Sequence, residues 1–328
     1  MDHVKSNKDG YSSIMLAASR GHKKAVRALL NYCSPTDQKF KLKRKNGFMG
    51  LIMASQNGHS NIVKMLLDEK YSDIQHYYAE IALILAAANG HRHIINYIVR
   101  LKNLNHELST NKLNNLLKGR HLIYFYVGLG GYMYFGYFYG NVDTMAIRMA
   151  ICKGFDEIVL LLADHFDIDK GSILSLVVQF NNYSLAKKLI EREADINFLD
   201  YDGMTPLMHA CTHGYLPIVK LLLEHNVEVD ESIPGSFVKQ GSVITCKKPG
   251  YTALMLACEK GYFDIIEKLL PYSNINAKSS KGMRPLACFS RCSKKTTHPE
   301  QCKKILFMLL ENGAEIPGQV EKQRCVIS

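Results

Sequence analysis

The chain has 328 residues, of which 47% are apolar and 22% are charged, and its formal net charge is +11 at pH 7. This apolar content is ordinary for a folded protein and excludes a disordered chain. The nine cysteines are too sparse for a disulfide-stapled scaffold, so we expect free thiols in a reducing compartment.

A block of 21 residues recurs along the chain with its small and apolar positions kept. Its clear copies are Gly10 to Leu30, Gly47 to Leu67, Gly203 to Leu223 and Gly250 to Leu270. Within the block, a turn glycine is followed by a helix cap, a short helix that ends at a second glycine, and another helix. One such unit cannot bury its own apolar face, so the pattern predicts a stack of helix pairs.

This block resembles the ankyrin repeat. The resemblance implies an all-α solenoid of paired antiparallel helices, with β-hairpin fingers and a concave surface that binds other proteins. Four weaker copies bring the predicted number to about eight. We expect N-terminal repeats over 1–100, a divergent repeat or aromatic insert over 101–142, C-terminal repeats over 143–317 and a flexible tail over 318–328.

The residues beside the predicted finger turns are the candidate contacts for a protein partner, and they are Tyr201, Asp202, Met204 and Tyr251. The sequence contains no phosphate-binding glycine loop, nucleophile elbow or metalloprotease motif, which favours binding without catalysis and without a cofactor. His22, His59 and His91 occupy the Gly-His turn of the family, where the imidazole usually bonds neighbouring backbone.

A basic segment precedes the second repeat and includes Lys41, Lys43, Arg44 and Lys45. Three interpretations are open: a solvated loop, a contact for anionic lipid or an acidic partner, and a nuclear-import or nucleic-acid patch. The sequence shows no other nucleic-acid module, so we expect no nucleic-acid partner.

The segment Leu122 to Tyr139 has no charged residue and is rich in tyrosine and glycine. It is long enough for a membrane span, but its four glycines and six tyrosines lower its apolarity and helix propensity. The alternatives are burial against flanking repeats and an aromatic docking patch, for which Phe135 and Phe138 are the candidate residues.

Two weaker signals concern modification and metal binding. Asn197 follows Leu189 and Asp195 in a pattern that resembles the site of the asparaginyl hydroxylase of ankyrin repeats; otherwise it is a hairpin asparagine that bonds its own backbone. Four soft ligands within 15 residues could hold zinc, although the spacing fits no known module; they are Cys288, Cys292, His298 and Cys302.

The chain's last four residues, Cys325-Val326-Ile327-Ser328, have the pattern of a C-a-a-X prenylation box, in which serine favours farnesyl. A farnesyl group on Cys325 implies two partners, a host prenyltransferase and an anionic membrane. Repeats with such a box resemble the ankyrin effectors that intracellular bacteria inject into host cells. The sequence predicts a non-enzymatic adaptor at the cytoplasmic face of a membrane; the alternative is a soluble cytosolic regulator or inhibitor of one partner protein.

Overall fold

The computed structural model describes residues 12–31, 48–68, 75–104, 125–127, 131–133, 142–166, 168–239, 242–293 and 299–316. The chain divides into two compact units, Met1–Asp167 and Ile168–Ser328. In both units the described residues are mainly helical, and the helices follow one another in pairs. The boundaries proposed from the sequence at residues 100, 142 and 317 stay predictions.

The first unit is a stack of helix pairs: α1 (Ser13–Ser19), α2 (Lys23–Asn31), α3 (48–56), α4 (Ser60–Asp68), α5 (Gln75–Ala88), α6 (Arg92–Leu104), α7 (Val142–Lys153) and α8 (Asp156–His165). The second helices α2, α4 and α6 pack on one another in order. Helix α5 packs directly against α7. The choice between a divergent repeat and an aromatic insert for residues 101–142 stays a prediction.

Two short strands lie in the aromatic segment, β1 (Phe125–Val127) and β2 (Gly131–Met133), and they pair antiparallel. The other residues of the aromatic segment lie outside the described residues, and the membrane-span interpretation of the segment stays a prediction. Within the described ranges, no helix is long and apolar enough to cross a membrane. Phe135 and Phe138 lie outside the described residues, and the choice between burial and docking stays a prediction.

The second unit has two rows of helices: α9 (Lys170–Gln179), α10 (Tyr183–Ile190), α11 (Pro206–His213), α12 (Leu216–Glu224), α13 (Ala253–Lys260), α14 (Phe263–Leu269), α15 (Pro285–Ser293) and α16 (Pro299–Glu311). The first helices α9, α11, α13 and α15 pack in order, and the second helices α10, α12, α14 and α16 form the other row. The core lies between the rows, where Ala210, Cys211 and Ile218 are fully buried.

The local signals of the repeat act as the sequence predicts. The side chain of Thr205 accepts a hydrogen bond from the N–H of Met208, and Thr252 does the same for Met255. These caps satisfy N–H groups that have no partner within the helix. Gly214 ends α11 with a φ of 81°, a left-handed conformation that favours glycine.

Four of the glycines that end a first helix also lie against a ring from the next repeat. A Cβ added at Gly58 would lie 2.8 Å from the His91 ring, and one at Gly214 would lie 2.9 Å from the Tyr262 ring. The same contact joins Gly21 to His59 and Gly90 to Phe155. These positions therefore exclude a side chain for two reasons, the backbone conformation and the neighbouring ring.

Two of these rings also bond the backbone of the preceding repeat. The Nε2 atom of His59 lies 2.8 Å from the carbonyl oxygen of Ser19, and that of His91 lies 2.9 Å from the carbonyl of Gln56. Because a carbonyl oxygen only accepts, the imidazole donates in both bonds. The structural role expected for these two histidines is confirmed.

A second set of bonds joins the bases of neighbouring fingers in the second unit. A side-chain oxygen of Asn197 accepts from the N–H of Glu228 at 3.0 Å, Asp230 accepts from Asn274 at 2.8 Å, and Asn276 accepts from Glu315 at 2.9 Å. We call these three contacts the finger-base bonds. They connect residues separated by 31, 44 and 39 positions, so the same kind of bond closes segments of different length.

The contact of Gly214 with Tyr262 predicts a large cost for Gly214→Ala. The added Cβ is strained at positive φ and displaces the ring, and overpacking of this kind typically costs about 1–3 kcal/mol. Gly282 is the control, because its φ is 69° and no atom lies within 4 Å of an added Cβ. In urea unfolding, Gly214→Ala should lower the free energy of unfolding clearly more than Gly282→Ala, and a Tyr262→Ala background should remove the excess. Equal costs would refute the ring contact.

Candidate functional site

The finger between α10 and α11 is a turn closed by one carboxylate. The Oδ1 atom of Asp200 accepts from the N–H of Asp202 at 2.8 Å and from that of Met204 at 3.0 Å. The backbone N–H of Asp200 donates to the carbonyl of Met204 at 3.1 Å. These bonds fix the turn from Tyr201 to Gly203, which forms the tip of the finger.

The same carboxylate joins the finger to the first helix. Its Oδ2 atom lies 2.6 Å from Nε2 of His209 in α11, and both side chains are largely buried. Burial of the carboxyl raises the pKa of Asp200, but the hydrogen bond and charge of His209, with the two backbone N–H groups, outweigh burial and hold that pKa below its ordinary value. The tip is therefore anchored to the repeat body through a charged hydrogen bond.

The tip presents polar and aromatic groups to solvent. Tyr201 is 47% exposed, Asp202 is exposed and Met204 is half-buried. The structure thus brings together three of the four finger residues singled out from the sequence. Their use by a partner stays a prediction.

Tyr251, the fourth finger residue, does not belong to this exposed set. It is only 8% exposed, and its backbone carbonyl accepts from the N–H of Ile233 at 2.9 Å. Burial, with the hydrogen-bonded thiol of Cys288, raises the pKa of Tyr251 to about 12. The expected exposure was wrong because this finger is longer than the other described fingers of the second unit, which leaves Tyr251 at its base.

A β-hairpin lies in that longer finger; β-hairpin fingers were expected from the family resemblance, but not at this position. Strands β3 (Ser236–Lys239) and β4 (Ser242–Thr245) pair antiparallel, with Ser236 opposite Thr245 and Lys239 opposite Ser242. An isolated bridge between Ser232 and Thr252 continues the pairing toward the repeat body. The signal in the sequence was two short segments rich in β-branched and aromatic residues, separated by only two residues, which is the spacing of a hairpin.

The cysteine and histidine cluster lies partly outside the described residues, so its role as a metal site stays a prediction. Among the described residues, no group of three or more potential ligands is close enough to hold a metal ion. Cys288 is fully buried, and burial raises the pKa of its thiol despite the hydrogen bond to Tyr251. Cys302 is partly exposed, while His298 and the side chain of Cys292 lie outside the described residues.

Of the remaining predicted sites, one residue makes hydrogen bonds and the others lie outside the described residues. The Asn197 side chain makes a finger-base bond, and its backbone N–H donates to Asp195 at 2.9 Å; its hydroxylation stays a prediction. The other candidates lie outside the described residues, namely Lys41, Lys43, Arg44, Lys45 and Cys325.

The depressed pKa of Asp200 predicts an acid-sensitive finger. A carboxyl whose folded-state pKa is lowered stabilises the protein above its unfolded pKa, about 3.9, and this stabilisation is lost as the pH falls through the folded value. At pH 6, Asp200→Asn should reduce the free energy of unfolding by about 1–2 kcal/mol. The difference from wild type should shrink as urea unfolding is repeated toward pH 3. Asp202→Asn, at the exposed tip, is the control, and a difference independent of pH would contradict this role of Asp200.

Comparison with known proteins agrees with this architecture. A family model described as ankyrin repeats matches three times, over residues 1–77, 146–233 and 174–281, which is more than half of the chain. The chain is 35% identical over 89 residues, 27% of its length, to the Ankyrin repeat and KH domain-containing protein mask of Drosophila melanogaster. It is 34% identical over 55 residues, 16% of its length, to the Ankyrin repeat and SAM domain-containing protein 6 of Mus musculus.

A third relative is the Probable E3 ubiquitin-protein ligase XBOS33 of Oryza sativa subsp. japonica, with 51% identity over 35 residues, or 11% of the chain. The matches span only 2%, 6% and 7% of these three relatives. What they share with the chain is thus the repeat. With paired, stacked helices and a family match over most of its length, the chain belongs to the ankyrin-repeat family.

Proposed function

We propose that this chain is a non-enzymatic adaptor of about eight repeats whose fingers bind one partner protein. Ankyrin repeats serve protein–protein interaction, and the observation that supports a finger site here is the exposed tip of Tyr201 and Asp202 on a turn fixed by Asp200. A fixed turn loses little conformational entropy on binding. Tyrosine is also enriched among the residues that dominate interface energies.

The names of the relatives do not extend this proposal. They pair the repeats with a KH domain, a SAM domain or a ubiquitin-ligase activity, and the chain matches at most 7% of any of them. Those features are attributed to the relatives alone. The function proposed for this chain is limited to the binding that its own repeats support.

Partner recovery should depend on the finger tip. After affinity purification with an intact C-terminus and quantitative mass spectrometry, Tyr201→Ala with Asp202→Ala should lower recovery of the main partner at least about tenfold, a loss of about 1.4 kcal/mol. Tyr183→Ala is the matched control, because Tyr183 is 44% exposed and begins α10, whereas the finger follows the end of that helix. Equal recovery by both variants would reject the finger site.

We also propose that Cys325 is farnesylated and holds the adaptor at the cytoplasmic face of a membrane, which is a host-cell membrane if the chain is an injected effector. The C-a-a-X pattern supports the lipid, and the resemblance to injected bacterial effectors supports the host cell. One prenyl chain binds membranes only marginally. The basic residues Lys41, Lys43, Arg44 and Lys45 would supply the second signal, at about 1 kcal/mol for each residue near an anionic leaflet. A soluble cytosolic regulator is the alternative.

Cell fractionation separates the anchored adaptor from the soluble regulator. In a eukaryotic cell, Cys325→Ser should move almost all of the protein from membranes to the cytosol. The matched control is Cys152→Ser, which removes an exposed thiol of α7 and should change nothing. Neutralising the four basic residues should weaken attachment partly and make the remainder less sensitive to salt. Unchanged membrane association of Cys325→Ser would leave the soluble regulator as the proposed function.

A further inference from the structure

The second helix of each repeat carries an apolar residue at the position of Val219 in α12. This position lies three residues before Leu222, or before the residue that corresponds to Leu222 in the other helices. In seven helices this residue has 0% exposure: Val26, Val63, Ile95, Val159, Ala186, Val219 and Ile266. In α16, the last described helix, it is Leu306, which is 43% exposed. The position that is fully buried in every other second helix is therefore open in α16.

Leu306 belongs to a larger apolar surface. Phe307 is 63% exposed and Leu310 is 37% exposed, and the spacing of the three residues puts them on one face of the helix. The place of Phe307 is taken by lysine in α4 and α12, as Lys64 and Lys220. A phenylalanine at a position used elsewhere for a charged, exposed residue indicates a surface that another molecule covers. We call Leu306, Phe307 and Leu310 the α16 face.

Charges of opposite sign flank the α16 face. Lys303 and Glu311 each lie four residues from Phe307 on the same helical stripe, which is about 6 Å along the axis. Two copies of α16 packed antiparallel about Phe307 would place each Lys303 opposite the Glu311 of the other copy. Parallel packing would place like charges together. The face is thus complementary to itself in one orientation, as a two-fold symmetric interface requires.

We propose that the α16 face is the contact between two copies of this chain, joined antiparallel about a two-fold axis at Phe307. Lys303 is free to change partner at low cost, because its present ion pair with Glu300 is solvent-exposed on both sides. One helix face buries less than the roughly 1,000 Å² of a stable interface, so the dimer is weak, with a Kd on the order of 10–100 µM. This contact is separate from the finger site.

Sedimentation equilibrium of the full chain, from about 1 to 200 µM, tests the dimer. The average mass should rise from that of one chain toward twice that value, and Phe307→Glu should abolish the rise. Because Phe307 is largely exposed, the variant should keep its helical circular dichroism and melting temperature. Phe180→Glu is the matched control, since Phe180 is 45% exposed at the end of α9. A single-chain mass throughout would overturn the proposal and leave the face to residues 317–328 or to a different protein.

Charge reversal tests the antiparallel orientation. Lys303→Glu and Glu311→Lys should each weaken the dimer about 3- to 10-fold, since either change places like charges opposite each other twice in the dimer. The double variant should recover the wild-type Kd. A mixture of the two single variants should also associate as tightly as wild type, because each chain then supplies the charge that the other lacks. Additive losses in the double variant would refute the orientation.

Discussion

At four of the described first helices, stacking brings a ring of the next repeat against the glycine that ends the helix. Gly58 with His91 and Gly214 with Tyr262 show the contact. A Cβ at either glycine would lie too close to ring atoms. Neighbouring first helices can therefore pack at their observed distance only because these residues have no side chain. Each finger leads from a second helix to the next first helix, so the spacing of the first helices also spaces the fingers.

The parts of the fold that the sequence predicts are those fixed within one repeat. Thr205 caps a helix and Gly214 ends it through bonds that span only a few residues. Asn181 stands where glycine is expected and adopts a φ of 56°, which asparagine tolerates better than most residues. Tyr251 was misjudged because it lies at the base of a long finger, where its carbonyl accepts from Ile233 and its hydroxyl bonds Cys288 of the next repeat. Whether Leu306 is buried or exposed likewise depends on groups outside its own repeat, and the repeat pattern does not encode those groups.

The finger site shows why a shared repeat does not imply a shared partner. In one finger Asp200 bonds the N–H of Met204 and also His209. In a later finger Ser279 bonds the N–H of Met283 at 3.1 Å in the corresponding place, with a neutral hydroxyl. The backbone turn is the same while the charge at its base differs. Such differences follow from single residues at equivalent positions, and they decide which surface chemistry each finger offers.

Because of the finger-base bonds, the packing of the helix stack does not depend on the length of each finger. Asn197, Asp230 and Asn276 hold the same kind of contact across 31, 44 and 39 positions, and closing a longer loop costs little additional entropy. A segment inserted between the two ends of such a bond, as β3 and β4 are, leaves the packing of the helices unchanged. The helices and the fingers that connect them can consequently evolve at different rates. New binding specificities can then arise in the fingers while the helices stay the same.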